Sequence, residues 1–476
     1  MTARALPQDR GLPQLACVLD ARRMAREFET RMFGPATRGG SPDGGPFRLR
    51  DCRIERIKYQ PGKKCTIGYR LSIDDRRSGR SHNQLLSARA FAPGASHSRY
   101  QKAKRQVLVS PQFGPPVMHI EPLEMVVWAF PNERKIENLA ALTDAGRLRN
   151  EILRDIVERH WGPAWRIATV SPTLAHYIPE HTCCIRAALD LCHRRTGEKR
   201  PWVVFGKTYY DDRGADAHAD MQRLWDGAAR IRGALSIPRP LGYQPAYRVL
   251  WQEGLAGETF EKRYGDDGAD LGLVGKAAEA VADLHTTSIG CRRRTRPRET
   301  VSRLLAVTSR LERVRPSCAT TAAAVVQRLM NDRDRLPDAA KATLHGDLHT
   351  KNMLVAGDRV SLIDLDTLSE GPPSYDIGSF VAAALYRAIL CRRTPASTRP
   401  MVEMFLGRYR ARVPWAIPRS EIAWHTAAAL IAERAGRCIS RLKAGRLEIV
   451  DDLVALADRI SRGTDDVLAA AGTGDD

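Results

Sequence analysis

The strongest constraint on this chain comes from a strand, a turn and a second strand near residue 355. The stretch NMLVAGDRVSLIDLD has two apolar runs joined at Gly357-Asp358, which is the pattern of a β-hairpin. The sequence HGDLHTKN leads into the first strand, and Asp364 follows the second. Because a hairpin brings its two open ends together, Asn352 and Asp364 are expected to lie side by side although they are distant in sequence.

The residue types and their spacing favour phosphoryl transfer. His345, Asp347 and Asn352 have the spacing of a kinase catalytic loop, and Asp364 stands where kinases carry a metal-binding aspartate. Mg²⁺ prefers oxygen ligands, so Asn352 and Asp364 are predicted to hold it. Asp347 lies before the strand and is predicted to receive the proton of an attacking hydroxyl as catalytic base. A surface loop with ordinary turn aspartates is the alternative.

The stretch LHGDLHTKNMLV…VSLIDLDTLSEGPPSYDIGSF resembles the aminoglycoside phosphotransferase/choline kinase family, over about residues 166–476. The resemblance implies ATP and Mg²⁺ as cofactors, with Asp347 catalytic and with Asn352 and Asp364 as metal ligands. It also implies that Asp376 is a structural aspartate. The expected fold is α+β: a bilobal protein-kinase-like fold with a β-rich N-lobe and a helical C-lobe.

Further nucleotide contacts are predicted from the same comparison with kinases. Lys207, in the apolar strand VVFGKTYY, is expected to reach the nucleotide phosphates. Kinases pair this lysine with a glutamate on the next helix; that helix has none here, so Asp220 is the predicted partner and Asp216 the alternative. The backbone at Gln252 and Gly254 is expected to bind adenine as the hinge between the lobes.

The N-terminal half contains an internal repeat. Four residues of the first copy return 118 positions later, as Tyr59/Tyr177, Pro61/Pro179, Cys65/Cys183 and Gly79/Gly197. At the same offset, Arg89 falls opposite Lys207. The first copy is therefore predicted to be a degenerate duplicate of the N-lobe. Since no catalytic hairpin follows it, it is not expected to bind nucleotide.

These patterns predict four segments. Residues 1–48 are a helix, Leu15 to Met32, and a linker rich in glycine and proline. Residues 49–165 hold the degenerate repeat and a connecting helix, and residues 166–253 form the kinase-like N-lobe. Residues 254–476 form the helical C-lobe with the catalytic loop.

Composition and net charge restrict the kinds of ligand and partner that the chain is expected to bind. The net charge of +20 favours anionic ligands, but the basic run near Arg294 has no interleaved aromatic residues, so no nucleic acid is expected. No apolar run is long enough to span a membrane, and the first residues lack a signal-peptide core, so a cytoplasmic protein is expected. The ten cysteines form no CxxC pair and predict no metal site.

The predicted function is transfer of the ATP γ-phosphoryl group to a hydroxyl of a small molecule. Aminoglycosides, sugars and amino alcohols all remain open as acceptors, because no motif describes the acceptor pocket. The alternative is a nucleotide-binding pseudokinase or scaffold protein, which the missing helix glutamate favours and the intact Asp347, Asn352 and Asp364 oppose.

Overall fold

Two five-stranded sheets with the same strand order dominate the first half of the chain in the computed structural model, which describes residues 6–34, 46–264, 270–336 and 340–468. The first has the order β1-β2-β3-β5-β4 and the second the order β6-β7-β8-β10-β9. The strands of the first sheet are β1 (Phe47–Gln60), β2 (Lys64–Asp75), β3 (Ser81–Phe91), β4 (Val117–Ile120) and β5 (Met125–Ala129). Those of the second are β6 (Trp165–Ile178), β7 (Thr182–His193), β8 (Lys199–Tyr209), β9 (Pro240–Gln244) and β10 (Val249–Glu253).

The three long strands of each sheet begin and end 118 residues apart. The antiparallel register of β1 and β2 shifts between Leu49 and Asp51, and that of β6 and β7 shifts at the equivalent Ile167 and Thr169. The two sheets thus have the architecture that the predicted duplication requires. The duplication itself stays a prediction.

The first turn of each sheet is held in the same way by a carboxylate from outside the strands. Asp9 accepts hydrogen bonds from the Tyr59 hydroxyl and from the Gly62 backbone, each at 2.7 Å. Glu133 accepts from the hydroxyl and backbone groups of the second turn, at Tyr177 and Glu180. The tyrosine that repeats in the sequence is therefore a turn anchor.

Helices make up most of the second half of the chain. The helices are α1 (Leu15–Val18), α2 (Ala21–Phe33), α3 (Ser96–Lys104), α4 (Leu139–Thr143), α5 (Ala145–Arg147), α6 (Arg154–Trp161), α7 (Arg213–Trp225), α8 (Ala228–Ile231), α9 (Phe260–Tyr264), α10 (Leu271–His285), α11 (Pro297–Val314), α12 (Ala319–Asp332), α13 (Ser374–Leu390), α14 (Arg399–Arg410), α15 (Arg419–Ala429), α16 (Gly436–Arg441) and α17 (Val450–Ser461). Short strands lie among them: β11 (Glu258–Thr259), β12 (Ala342–Leu344), β13 (Met353–Ala356), β14 (Arg359–Leu362) and β15 (Ser369–Gly371). They form the sheets β11-β13-β14 and β12-β15.

The N-terminal helix differs from its prediction. Two helices, α1 and α2, replace the single helix expected from Leu15 to Met32. The break is at Asp20, whose carboxylate accepts from the backbone of Arg22 and Arg23 and so begins a new helix. Most of the predicted linker, residues 35–45, lies outside the described residues.

The chain divides into two units. Unit 1 contains the described residues of 1–212, 244–249 and 440–442; unit 2 contains those of 213–243, 250–439 and 443–476. In unit 2, α13 packs against α15, and Gly378 allows this contact because a Cβ there would lie 2.6 Å from the His425 Cβ. Within the described residues, no helix has the continuous apolar length that a lipid bilayer requires.

Candidate active site

The predicted hairpin is present as β13 and β14. Its Cα partners run from Met353↔Leu362 to Ala356↔Arg359. At the open end, the Ile363 backbone N–H donates to the Asn352 carbonyl at 3.0 Å. Asp364 follows directly and adopts a left-handed backbone conformation, with φ of 62°. The hairpin therefore brings the segments that carry Asn352 and Asp364 together, as the sequence indicated.

A buried aspartate fixes the loop that precedes this hairpin. The Asp376 carboxylate, at the start of α13, accepts from the backbone N–H groups of His345 at 2.6 Å and Gly346 at 3.0 Å. His285, on α10, lies 3.1 Å from the same carboxylate through Nε2 and 2.8 Å from the Tyr409 hydroxyl through Nδ1. Asp376, His285, Tyr409 and His345 are buried, so this network ties the loop to α13 and, through Asp376, to α10 and α14.

Gly346 is required by the course of the backbone. Its φ is +81°, and a Cβ at this position would lie 2.2 Å from the Thr367 carbonyl oxygen. No other residue fits so close to a neighbouring backbone without moving it.

Asp347 has one oxygen engaged by an arginine. The guanidinium Nη2 of Arg437 lies 2.9 Å from Asp347 Oδ1, whereas His349 Nε2 lies 3.7 Å from Oδ2. Burial by itself would raise the pKa of Asp347. The charge of Arg437, the charge of His349 in acid, where it is protonated, and the hydrogen bond from Arg437 outweigh burial and lower the pKa to about 2. Burial lowers the pKa of His349 to about 4, so His349 is neutral at pH 7. Arg437 is therefore the cation that keeps Asp347 ionised.

Arg437 is a site residue that the sequence did not reveal. It lies on α16, directly after the π-helical turn Leu430–Ala435. Such turns often re-aim side chains at functional sites. The tail of the chain contains many arginines, and nothing in their spacing distinguishes this one. Only the tertiary fold brings it to Asp347.

The side chain of Asn352 is oriented for an oxygen contact. Its Nδ2 donates to the Asp347 backbone carbonyl at 3.0 Å, so Oδ1 is the atom left to accept or to ligate. An amide oxygen and the Asp364 carboxylate are ligands that suit a hard cation such as Mg²⁺. Within the described residues, no group of three or more His, Cys, Asp or Glu side chains is arranged to hold a metal. The predicted pair therefore fits a metal that takes its other ligands from phosphate and water.

The predicted nucleotide contacts lie in both units. Lys207 is half-buried on β8 in unit 1, with its Nζ 5.8 Å from the Tyr209 ring centroid. Asp220 is buried on α7 in unit 2 and forms an ion pair with Arg223; burial raises its pKa, against the charge of Arg223. Gln252 lies in β10, and Gly254 directly follows that strand.

A cavity of about 450 Å³ lies in unit 2 beside the catalytic loop. Its wall includes Phe260, Glu261, Tyr264, Thr350 and Arg387. Asp347 is not part of this wall, so the geometry does not assign the cavity to the reacting hydroxyl.

The locked loop, the hairpin and the partly exposed Asp347 carboxylate are the features expected of a kinase-like phosphotransferase. Residues 192–415 match the family model described as the phosphotransferase enzyme family, so this part of the chain is similar to that family. The resemblance to aminoglycoside phosphotransferases and choline kinases is thereby confirmed, as is the α+β kinase-like fold class. At the level of class, the chain is an ATP-dependent small-molecule phosphotransferase.

Several solved structures are similar to part of the chain. One is a choline/ethanolamine kinase family protein from Mesorhizobium loti, with 17% identity and a TM-score of 0.40, covering 60% of this chain and 89% of that one. Another is an aminoglycoside phosphotransferase from Streptomyces rimosus, with 18% identity, a TM-score of 0.38 and coverage of 57% and 94%. Choline kinase from Cryptosporidium parvum has 11% identity, a TM-score of 0.42 and coverage of 66% and 95%. No curated protein sequence matches the chain.

Proposed function

We propose that the protein transfers the γ-phosphoryl group of ATP to a hydroxyl of a small molecule, with Asp347 as the residue that receives the hydroxyl proton. Aminoglycosides, sugars and amino alcohols are the acceptor classes. The observation that carries the proposal is the meeting of Asp347, Asn352 and the segment of Asp364 at the open end of one hairpin. Phosphoryl transfer needs this combination of positioning and charge neutralisation.

The two oxygens of Asp347 have separate roles in this proposal. Oδ1 is held by Arg437, which fixes the plane of the carboxylate. Oδ2 faces the neutral His349 at a longer distance and is the atom that accepts the hydrogen bond of the substrate hydroxyl. A carboxylate with a pKa of about 2 is a weak base. It therefore acts first by orienting the hydroxyl, and takes its proton late, as the bond to phosphorus forms.

Asn352 and Asp364 would hold Mg²⁺ through the Asn352 amide oxygen and the Asp364 carboxylate. A bound Mg²⁺ supplies neutralisation of the charge on the β- and γ-phosphates. Lys207 is proposed to contact the nucleotide phosphates as a further positive charge, and Asp220 to pair with it, with Asp216 as the alternative. The backbone at Gln252 and Gly254 is proposed to bind adenine.

The test is Mg²⁺-dependent ATP turnover across a panel of hydroxylated compounds from the three acceptor classes. We expect formation of ADP with at least one acceptor, together with a phosphorylated product found by mass spectrometry. Nucleotide binding without turnover on any member of the panel would favour the alternative, a pseudokinase or scaffold. The same panel identifies the acceptor.

A further inference from the structure

A dense cluster of cationic side chains surrounds one carboxylate in unit 1. Arg89 Nη1 lies 3.0 and 2.9 Å from the two carboxylate oxygens of Glu180, and Arg134 donates to the same oxygens at 2.8 and 2.9 Å. Burial lowers the pKa of Lys64; the charges of Arg89, Arg134 and Lys135 lower it further, against the opposing charge of Glu180. We call Lys64, Arg89, Arg134 and Lys135 the cationic cluster.

The cluster is built on the first sheet. In the antiparallel pair of β2 and β3, Lys64 lies opposite Phe91 and Arg89 lies opposite Thr66. Lys64 and Arg89 are therefore diagonal neighbours on one face of the sheet. The other two cations follow β5, the strand beside β3. The sheet thus holds Lys64 and Arg89 near each other, and the segment after β5 adds Arg134 and Lys135.

The positive charge of the cluster is not balanced. Among the described residues, two carboxylates lie near its four cations. Glu180 receives both arginines, and Glu133 is buried and accepts from the Tyr177 hydroxyl and from the Glu180 backbone. Burial raises the pKa of Glu133. Even when both carboxylates are ionised, the cations outnumber them by two.

The hydrogen-bonding capacity of the cluster is also unfilled. The side chain of Arg89 is 12% exposed, and its Nε is buried without an acceptor. A guanidinium has five N–H donors, whereas the carboxylate of Glu180 has only two oxygens to share between two arginines. A phosphate group has more oxygens and more negative charge than a carboxylate, and it suits paired arginines.

Glu180 occupies the cluster in a strained conformation. Its φ is +61°, which is unfavourable for any residue with a side chain. The equivalent position of the first turn is Gly62, with φ of +68°. The ion pairs with Arg89 and Arg134 offset the strain at Glu180. The carboxylate of Glu180 therefore contacts the same arginines, Arg89 and Arg134, that an external anion would contact.

We propose that the cationic cluster is a binding site for a phosphate group without a bound metal, and that Glu180 is its internal occupant in this structure. An incoming phosphate displaces the Glu180 carboxylate and takes the donors of Arg89 and Arg134. The cluster lies wholly in unit 1 and contains neither Asp347 nor the proposed metal ligands.

The probe is pyrophosphate, titrated by calorimetry in the presence of a chelator. Glu180→Gly removes the competing carboxylate and suits the positive φ, so the variant should fold and bind pyrophosphate at least tenfold more tightly than the natural protein. Adding Arg89→Gln to this variant should reverse the gain. Adding Arg53→Gln instead should leave the gain in affinity intact, although it removes the same charge from an exposed position on β1.

Two further arms identify the ligand and the site. Arg200→Gln in the Glu180→Gly background should leave pyrophosphate affinity unchanged, because Arg200 is exposed on β8 and is not part of the cluster. AMP is compared with pyrophosphate: equal affinity means that the phosphate group alone is recognised, and tighter AMP binding indicates a nucleotide. If Glu180→Gly binds pyrophosphate no better than the natural protein, or if Arg89→Gln has no effect, the cluster is only a structural ion pair and the proposal fails. No turnover or Mg²⁺ is needed, so this result is independent of the phosphotransferase proposal.

Discussion

Two aspartates of unit 2 have the same chemical group and opposite environments. Asp376 is fully buried, and its carboxylate is hydrogen-bonded to two backbone N–H groups and a histidine, so it stabilises the loop. Asp347 keeps about a third of its side chain exposed and has Oδ2 open to a ligand. The hydrogen bonds around each carboxylate, and not its type, decide which one is suited to chemistry.

Replacing the carboxylate of Asp347 should remove activity without unfolding the protein. Asp347→Ala is expected to lower kcat by roughly 10²- to 10⁴-fold, the usual scale for a positioned base. The Kd for ATP should change little, since Asp347 contacts the acceptor and not the nucleotide in the proposed reaction. Steady-state kinetics on the acceptor found by the panel, together with ATP titration, measure both quantities.

The matched control for this variant is Asp358→Ala. Asp358 stands at the turn of the same hairpin, away from the open end, with a side chain that is 91% exposed. Its loss should leave kcat unchanged. Full activity of Asp347→Ala, with normal acceptor saturation, would show that another group receives the proton.

The sequence predicts the placement of the candidate site residues around the hairpin better than it predicts their surroundings. Asp347, Asn352 and Asp364 are close in sequence to one hairpin, so local spacing is sufficient to find them. Arg437 is distant in sequence and reaches Asp347 only through helix packing. The internal occupant of the cationic cluster, Glu180, was likewise hidden, because its partners come from separate elements.

At the scale of elements, the hairpin of β13 and β14 is the part that unites the proposed metal ligands. Its register places Met353 opposite Leu362, so the residues just outside this pair are adjacent. The left-handed conformation of Asp364 turns the chain sharply at this point. A short hairpin thus places the two proposed ligands near each other, a placement that distant elements supply in many metal sites.

Loss of either proposed ligand should raise the Mg²⁺ requirement, to different extents. Asp364→Ala removes a charged oxygen ligand and should weaken Mg²⁺-ATP binding strongly. Asn352→Ala removes a neutral ligand and should also weaken Mg²⁺-ATP binding, but to a smaller extent. Titration of Mg²⁺ against bound nucleotide measures both. Unchanged metal dependence in the two variants would exclude this site.

The packing of α13 on α15 makes stability depend on pH. His425 on α15 is 3% exposed, its Nε2 is buried without a partner, and its ring meets the ring of Tyr375 edge-on. Burial and the charge of Arg303, against that of Asp376, lower the pKa of His425 to about 3. The unfolded chain thus takes up this proton at a higher pH than the folded one. The stability that His425 contributes is complete above about pH 6.5 and is lost as the pH falls toward 3.

His425→Gln should therefore flatten the pH dependence of unfolding. Between pH 7 and 5, the natural protein should lose roughly 2 kcal/mol more of its unfolding free energy than the variant does. Urea denaturation at both pH values measures the difference. His97→Gln, at an exposed position on α3, is the control and should follow the natural protein. Parallel losses in the His425 variant and the natural protein would mean that the buried ring is protonated without penalty.

At the scale of the whole chain, the repeat was visible in the sequence because identical residues recur at the turns of the two sheets. The anchoring tyrosines and the turn positions 62 and 180 stand at one offset, and so do the bounds of the three long strands. The helical parts were less predictable. The single connecting helix expected within residues 49–165 is instead α4, α5, a π-helical turn and α6. Periodicity alone shows where a helical segment lies, but not where its backbone breaks.

The final prediction compares equivalent positions of the two sheets. Lys207 and Arg89 occupy the same position on β8 and β3, but Arg89 is already paired with Glu180. No hairpin with the Asp-Asn pattern follows the first sheet in sequence, so Mg²⁺ would have no ligands from residues 131–165. With Mg²⁺ in excess, we expect one ATP per chain. Lys207→Ala should raise the Kd for ATP by roughly tenfold or more, the scale of a lost charged hydrogen bond, whereas Arg89→Ala should leave it nearly unchanged. Calorimetry that finds two Mg²⁺-ATP per chain, or equal losses in both variants, would contradict this division of roles.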